Sequence, residues 1–110
     1  MTTRPEFAEV AGQLLRSVAD DLGRQGVACD LAGDVLTMRF ADGTKCTLIR
    51  QTPTDQVWLA DGVLAWYFDW QADTGDWTDG RGRGRLATIL RDVLERRLGS
   101  PLHLAFSPAP

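Results

Sequence analysis

Two stretches of helical hydrophobic period bracket a run of short alternating segments, and this arrangement constrains the fold of the 110-residue chain more than any other feature. Phe7, Val10, Ala11, Leu14, Leu15, Val18 and Leu22 recur at steps of three and four, which lines up one buried helix face, and Pro5 suits a first turn. This helix is expected to run from about Pro5 to Leu22, with Gly23 as its left-handed stop. Leu86, Ile89, Leu90, Val93, Leu94 and Leu98 repeat the period, and Gly99-Ser100-Pro101 ends it.

Between the helices the period falls to two. Strands are expected at Val27–Leu31, Val35–Phe40, Lys45–Arg50, Gln56–Ala60, around Leu64–Asp69 and at Trp77, separated by Ala32-Gly33-Asp34, Asp42-Gly43, Pro53, Asp61-Gly62 and Asp73-Thr74-Gly75. Leu36, Met38 and Phe40, then Cys46 and Leu48, then Val57 and Leu59, then Leu64, Trp66 and Phe68 mark one apolar face. Each helix must bury its stripe and the sheet offers one such face, so both helices belong side by side on it. The expected fold is α+β: a two-layer sandwich of two helices on one face of a five- to six-stranded antiparallel sheet. Residues 1–110 are expected to form a single domain with a core of about 5–106. Leu102, Leu104 and Phe106 alternate in a tail laid over the helices, and Ser107–Pro110 read as a loose end.

The net charge of −3 conceals an asymmetry: residues 1–80 carry 13 acids and 6 bases, residues 81–110 carry 2 acids and 6 bases. An electrically two-sided molecule follows. No apolar run approaches a bilayer span and Met1–Arg16 has no signal-peptide core, so a cytoplasmic protein off the membrane is expected. Cys29 and Cys46 fall on core-facing registers and lack CxxC spacing; they read as small buried residues, not as a disulfide or metal pair.

Candidate sites are surfaces. On a helical wheel Glu6, Glu9, Gln13 and Asp20 lie opposite the apolar stripe, with Arg16 among them, Asp21 on the border, and Asp30 and Asp34 nearby at the start of the sheet. Such open carboxylates suit a hard cation bound weakly and with little selectivity, although from composition alone a solvated helix face is the simpler reading. Arg81-Gly82-Arg83-Gly84-Arg85 is the strongest charge run; it fits an acidic partner or a solvated loop neutralised by Asp73, Asp76 and Asp79, and fits nucleic acid poorly in so acidic a chain. His103 is the only histidine, and no triad, Walker loop, dinucleotide fingerprint or zinc spacing accompanies it, so no catalytic residue is assigned. In the fourth strand Val57 and Leu59 point one way, so Trp58 points the other, beside Gln56. Together with Gln51 and Tyr67 this makes either a recognition surface or a cross-strand aromatic pair covering a bare sheet.

Gly33-Asp34-Val35-Leu36-Thr37-Met38-Arg39-Phe40, Asp42-Gly43, Arg50-Gln51-Thr52-Pro53, Gln56-Val57-Trp58-Leu59-Ala60, Tyr67-Phe68-Asp69 and Trp77, taken in order, resemble the frataxin family, specifically its bacterial CyaY branch. The resemblance covers about residues 6–104. It implies a monomeric protein without a catalytic pocket that binds ferrous and ferric iron weakly along an acidic ridge, with iron-promoted oligomers as a further state. The ridge carries over to Glu6, Asp20, Asp21 and Asp30, with Glu9 added from the helix face. The implied partners are the cysteine desulfurase and the scaffold protein of iron-sulfur cluster assembly, met through Trp58, Gln51, Arg50 and Tyr67, with the chain acting as iron-dependent regulator or iron donor. Two further readings stand beside this: an adaptor of the same machinery with little functional iron binding, and, less favoured, a ferroxidase-type enzyme. The chain departs from the family pattern at Gly23–Ala28, which holds no acid where the family has several, at Tyr67, where relatives often have His, and at the Arg-Gly-Arg-Gly-Arg entry to the second helix.

Overall fold

In the computed structural model, which describes residues 4–102 and 104, helix α1 (Arg4–Arg24) precedes six strands, β1 (Cys29–Ala32), β2 (Val35–Arg39), β3 (Lys45–Gln51), β4 (Gln56–Ala60), β5 (Ala65–Gln71) and β6 (Asp76–Asp79). Helix α2 (Leu86–Leu98) follows. The strands form one antiparallel sheet in sequence order, because every connection is a short turn that leaves each strand beside its predecessor. Both helices lie on the face that carries Leu36, Met38, Cys46, Leu48, Val57, Leu59 and Phe68, and these residues join the helix stripes and Leu102 and Leu104 in one core. Among the described residues no helix lies over the other face. Among the described residues no helix is long and apolar enough to cross a membrane.

The first helix runs past its expected stop. Gly23 is helical and the left-handed residue is Gly26, with φ of 78°. The Val27 N–H donates to the Leu22 carbonyl at 2.9 Å and the Gly26 N–H to the Gly23 carbonyl at 3.2 Å, the paired bonds of a Schellman close, and Leu22 packs with Val27 beneath them. Leu64 also departs from expectation. It is 55% exposed, because the turn built on Asp61 holds it outside the strand, which starts at Ala65. Cys29, Met38 and Cys46 form one row across β1, β2 and β3, so an intervening strand keeps the two thiols apart and both stay free. Burial raises both, Cys46 to about 11. His103, Phe106 and Ser107–Pro110 lie outside the described residues.

Candidate functional site

Strand parity and antiparallel pairing assemble the uncovered face. Val35 pairs with Ile49, Ile49 with Trp58 and Trp58 with Tyr67, so an apolar row crosses four strands on the side away from the helices. Gln51, Gln56, Asp69 and Thr78 form the neighbouring polar row. Trp58 and Tyr67 meet edge to face, centroids 5.0 Å apart at 79°. The indole N–H of Trp58 donates to Gln56 Oε1 at 3.0 Å, and Gln56 Nε2 donates to Asp69 Oδ1 at 3.1 Å. The indole is thereby fixed and its one polar group satisfied, which leaves its apolar surface for a partner. Trp58, Tyr67, Gln56, Gly80 and Arg81 line an open cleft of about 390 Å³ beside it.

The basic loop after β6 is anchored from beneath. Asp79 is buried, and its carboxylate accepts hydrogen bonds from the backbone N–H groups of Arg81 (3.0 Å), Arg83 (3.2 Å) and Tyr67 (3.3 Å) and from both sides of the Arg83 guanidinium at 2.9 Å. The Arg83 guanidinium holds its carboxyl down to about 2; burial raises it less than that partner and the N–H donors lower it. Arg83 also donates to the Ala65 carbonyl at 3.0 Å and covers the Trp66 ring, and Arg85 pairs with Asp76. Asp76 and Asp79 therefore neutralise this run, while Arg81 turns toward the Trp58 cleft with no carboxylate partner among the described residues.

The acidic residues spread over two ends of α1. Glu6 and Glu9 are exposed at its start, Asp20 near its end, and Asp30 is exposed on β1. Fourteen residues of helix put Glu6 and Asp20 roughly 21 Å apart. Asp21, expected on the border of the exposed face, is only 4% exposed and accepts from the Arg24 guanidinium. Asp34 is bound by Arg50. Among the described residues no three His, Cys, Asp or Glu side chains converge on a point where a metal ion would sit. This donor set suits a hydrated cation held by long-range attraction and offers no polydentate cage.

The family model of the frataxin-like domain matches residues 1–100. The chain belongs to the frataxin family. Within it the chain is of the bacterial CyaY type: the iron-sulfur cluster assembly protein CyaY of Tolumonas auensis is 32% identical over 78 residues, 71% of this chain and 73% of that protein. The corresponding Shewanella baltica protein is 28% identical over 106 residues, 91% of this chain and 95% of that one. Among solved structures, frataxin from Psychromonas ingrahamii is 28% identical and superposes with a TM-score of 0.85 over 96% of this chain and 99% of its own. A trimeric frataxin from the yeast Saccharomyces cerevisiae, complexed with ferrous iron, shares the fold at 23% identity with a TM-score of 0.70 over 83% of this chain and 87% of that one.

On this frataxin frame the structure gathers Trp58, Tyr67 and Gln51 on one face and separates Arg50 from them. Arg50 shares the parity of Cys46 and Leu48 and so points to the helix side, where it donates to Asp34 at 2.8 Å and to the Ala8 carbonyl of α1 at 3.0 Å. Arg81 was missed as a member of the Trp58 surface, and Asp69, on the outward side of its strand with Tyr67, joins that surface through Gln56. Parity places Asp69 with Tyr67, whereas Arg81 had no such signal, because a loop residue has no period to follow.

Proposed function

We propose that this chain serves iron-sulfur cluster assembly as an iron-binding regulator or iron donor that docks on the cysteine desulfurase and its scaffold protein. Membership of the frataxin family supports this, as does the name carried by its CyaY relatives, iron-sulfur cluster assembly protein. The observation that carries the docking part is Trp58, held edge-on against Tyr67 with its N–H already satisfied, on a sheet face that no helix covers. In this reading Trp58, Tyr67 and Gln51 meet a partner directly, and Arg50 acts by pinning α1 to the sheet. Glu6, Glu9, Asp20 and Asp30 attract hydrated iron weakly, and Asp21 adds charge while Arg24 engages its carboxylate. Since α1 and Trp58 lie on opposite layers, the ridge and the aromatic face engage separate surfaces of the desulfurase complex, the ridge meeting a basic region of the desulfurase. The protein acts in the cytoplasm as a monomer, with iron promoting oligomers, and as a binding protein and not an enzyme.

A desulfurase and cluster-assembly assay with and without iron tests this. Trp58→Ala is expected to weaken association with the complex about thirtyfold, the effect of a central aromatic contact, while removing only about 1 kcal/mol of fold stability with the Tyr67 pair. Asp20→Asn with Asp30→Asn is expected to reduce both iron response and salt sensitivity. Association that ignores both ionic strength and Trp58→Ala would sink the docking model. The scattered carboxylates favour a second reading, an adaptor with little functional iron binding. Amide shifts confined to Glu6, Glu9, Asp20, Asp21 and Asp30 on adding ferrous iron support the first reading, and silence there leaves the adaptor.

A further inference from the structure

At the far end of the sheet the β2–β3 and β4–β5 turns enclose an open cleft of about 470 Å³ that plays no part in the reading above. Arg39 and Lys45 line it, and they are direct cross-strand partners. Like charges placed opposite each other on a sheet repel and cost stability unless something anionic sits between them. Neither joins an ion pair among the described residues, and both are exposed. A third cation is fixed at the back of the cleft: Arg97, from the last turn of α2, donates to Thr44 Oγ1 at 2.6 Å and to the Asp61 carbonyl, with its guanidinium 5.6 Å from the Phe40 ring centroid. Carbonyl, hydroxyl and ring hold it in place, within electrostatic reach of the Asp61 and Asp42 carboxylates.

The same turn presents apolar surface. Val63 is 86% exposed and Leu64 55%. They are held rigidly, because Asp61 Oδ1 accepts from the Val63 N–H at 2.9 Å and the Leu64 N–H at 2.7 Å, while the Asp61 N–H donates to the Leu64 carbonyl at 3.1 Å. Burial pushes the Asp61 carboxyl up, but these N–H donors and Arg97 outweigh it and keep the group ionised. Arg39, Lys45 and Arg97 stand against two carboxylates, Asp61 and Asp42, both taken up by donors of their own turns, which leaves the cleft positive by one charge in a chain whose net charge is −3. We propose that this cleft binds an acidic peptide segment of a protein partner in which carboxylates flank an apolar residue. Arg39 and Lys45 pair with the carboxylates, and Val63 and Leu64 cover the apolar side chain. A small oxyanion would use the cations and ignore the apolar tip; an anionic membrane would meet two apolar side chains on a net-negative molecule, too little for stable attachment.

Titrating the labelled full chain with a ten-residue peptide of alternating Glu and Leu tests this without any desulfurase. Saturable amide shifts are expected at Gly43, Thr44, Gly62 and Val63, and a Lys-Leu peptide should give none. Arg39→Glu with Lys45→Glu is expected to weaken peptide binding at least about tenfold, and Val63→Ser with Leu64→Ser about threefold. If the charge reversal unfolds the chain, binding by the unaltered protein should fall by a similar factor as salt rises from about 50 to about 500 mM. Absence of shifts at these amides overturns the proposal. So does inorganic phosphate moving the same amides as tightly as the peptide while the Val63/Leu64 variant binds unchanged, which marks a bare anion site. Sedimentation with vesicles of phosphatidylcholine and phosphatidylserine that depends on Arg39 and Lys45 would assign the cleft to a membrane instead.

Discussion

Asp79→Asn is expected to lower the unfolding free energy at pH 7 by about 2–4 kcal/mol, because it leaves a network of N–H donors facing an amide that can satisfy only part of it. The carboxylate serves three backbone N–H groups and the Arg83 guanidinium, and it organises the whole loop from Gly80 to Arg85. Its folded value, about 2, lies below the ordinary 3.8. A depressed carboxyl adds stability that is fully present above the unfolded value and is lost as pH falls through the folded one, so this contribution, roughly 2 kcal/mol, fades between about pH 4 and pH 2. Chemical denaturation of both proteins from pH 7 to pH 2 checks it: the gap between them should narrow across that window. A gap of equal size at both ends would show that the ionised form is not what matters. Arg81 rides on the same loop and lines the Trp58 cleft, so the variant should also weaken partner association.

Trp77→Ala should cost still more, about 3–5 kcal/mol, and lower the thermal midpoint by about 15 °C. Trp77 is 5% exposed and meets Phe7 of α1 edge to face at 5.9 Å and Trp70 at 5.1 Å, so it joins the first helix to the β5–β6 hairpin. Truncation leaves a cavity between elements that cannot close without moving a helix. Thermal and denaturant unfolding of Trp77→Ala beside Trp58→Ala is the check, since the two tryptophans face opposite sides of one sheet. Comparable losses would mean that Trp58 is a core residue and not a recognition surface.

Much of this was legible in the chain. The parity of Val57, Trp58 and Leu59 sets the tryptophan apart from the core, and the two helical stripes with a single apolar sheet face require the observed layers. Parity also held the correct position of Arg50, on the side of Leu48, which its proximity to Gln51 in sequence obscured. The end of the first helix was misplaced because Gly23 and Gly26 are equally permissive, and the choice between them falls to Val27 finding Leu22 in the core. Leu64 was misread because the bonds to Asp61 that hold it out of the strand leave no mark on hydrophobic period.

The sequence by itself determined which side chains face inward and which outward, since those choices follow from local periods of two and 3.6 residues. The tertiary structure alone decided which distant groups meet. It drew Arg50 to Asp34 and the Ala8 carbonyl, set Arg83 against the Ala65 carbonyl, and brought Arg97 against turns that lie 36 and 53 residues away. Those encounters depend on how the layers stack and where loops close, and no local repeat in the chain carries that information.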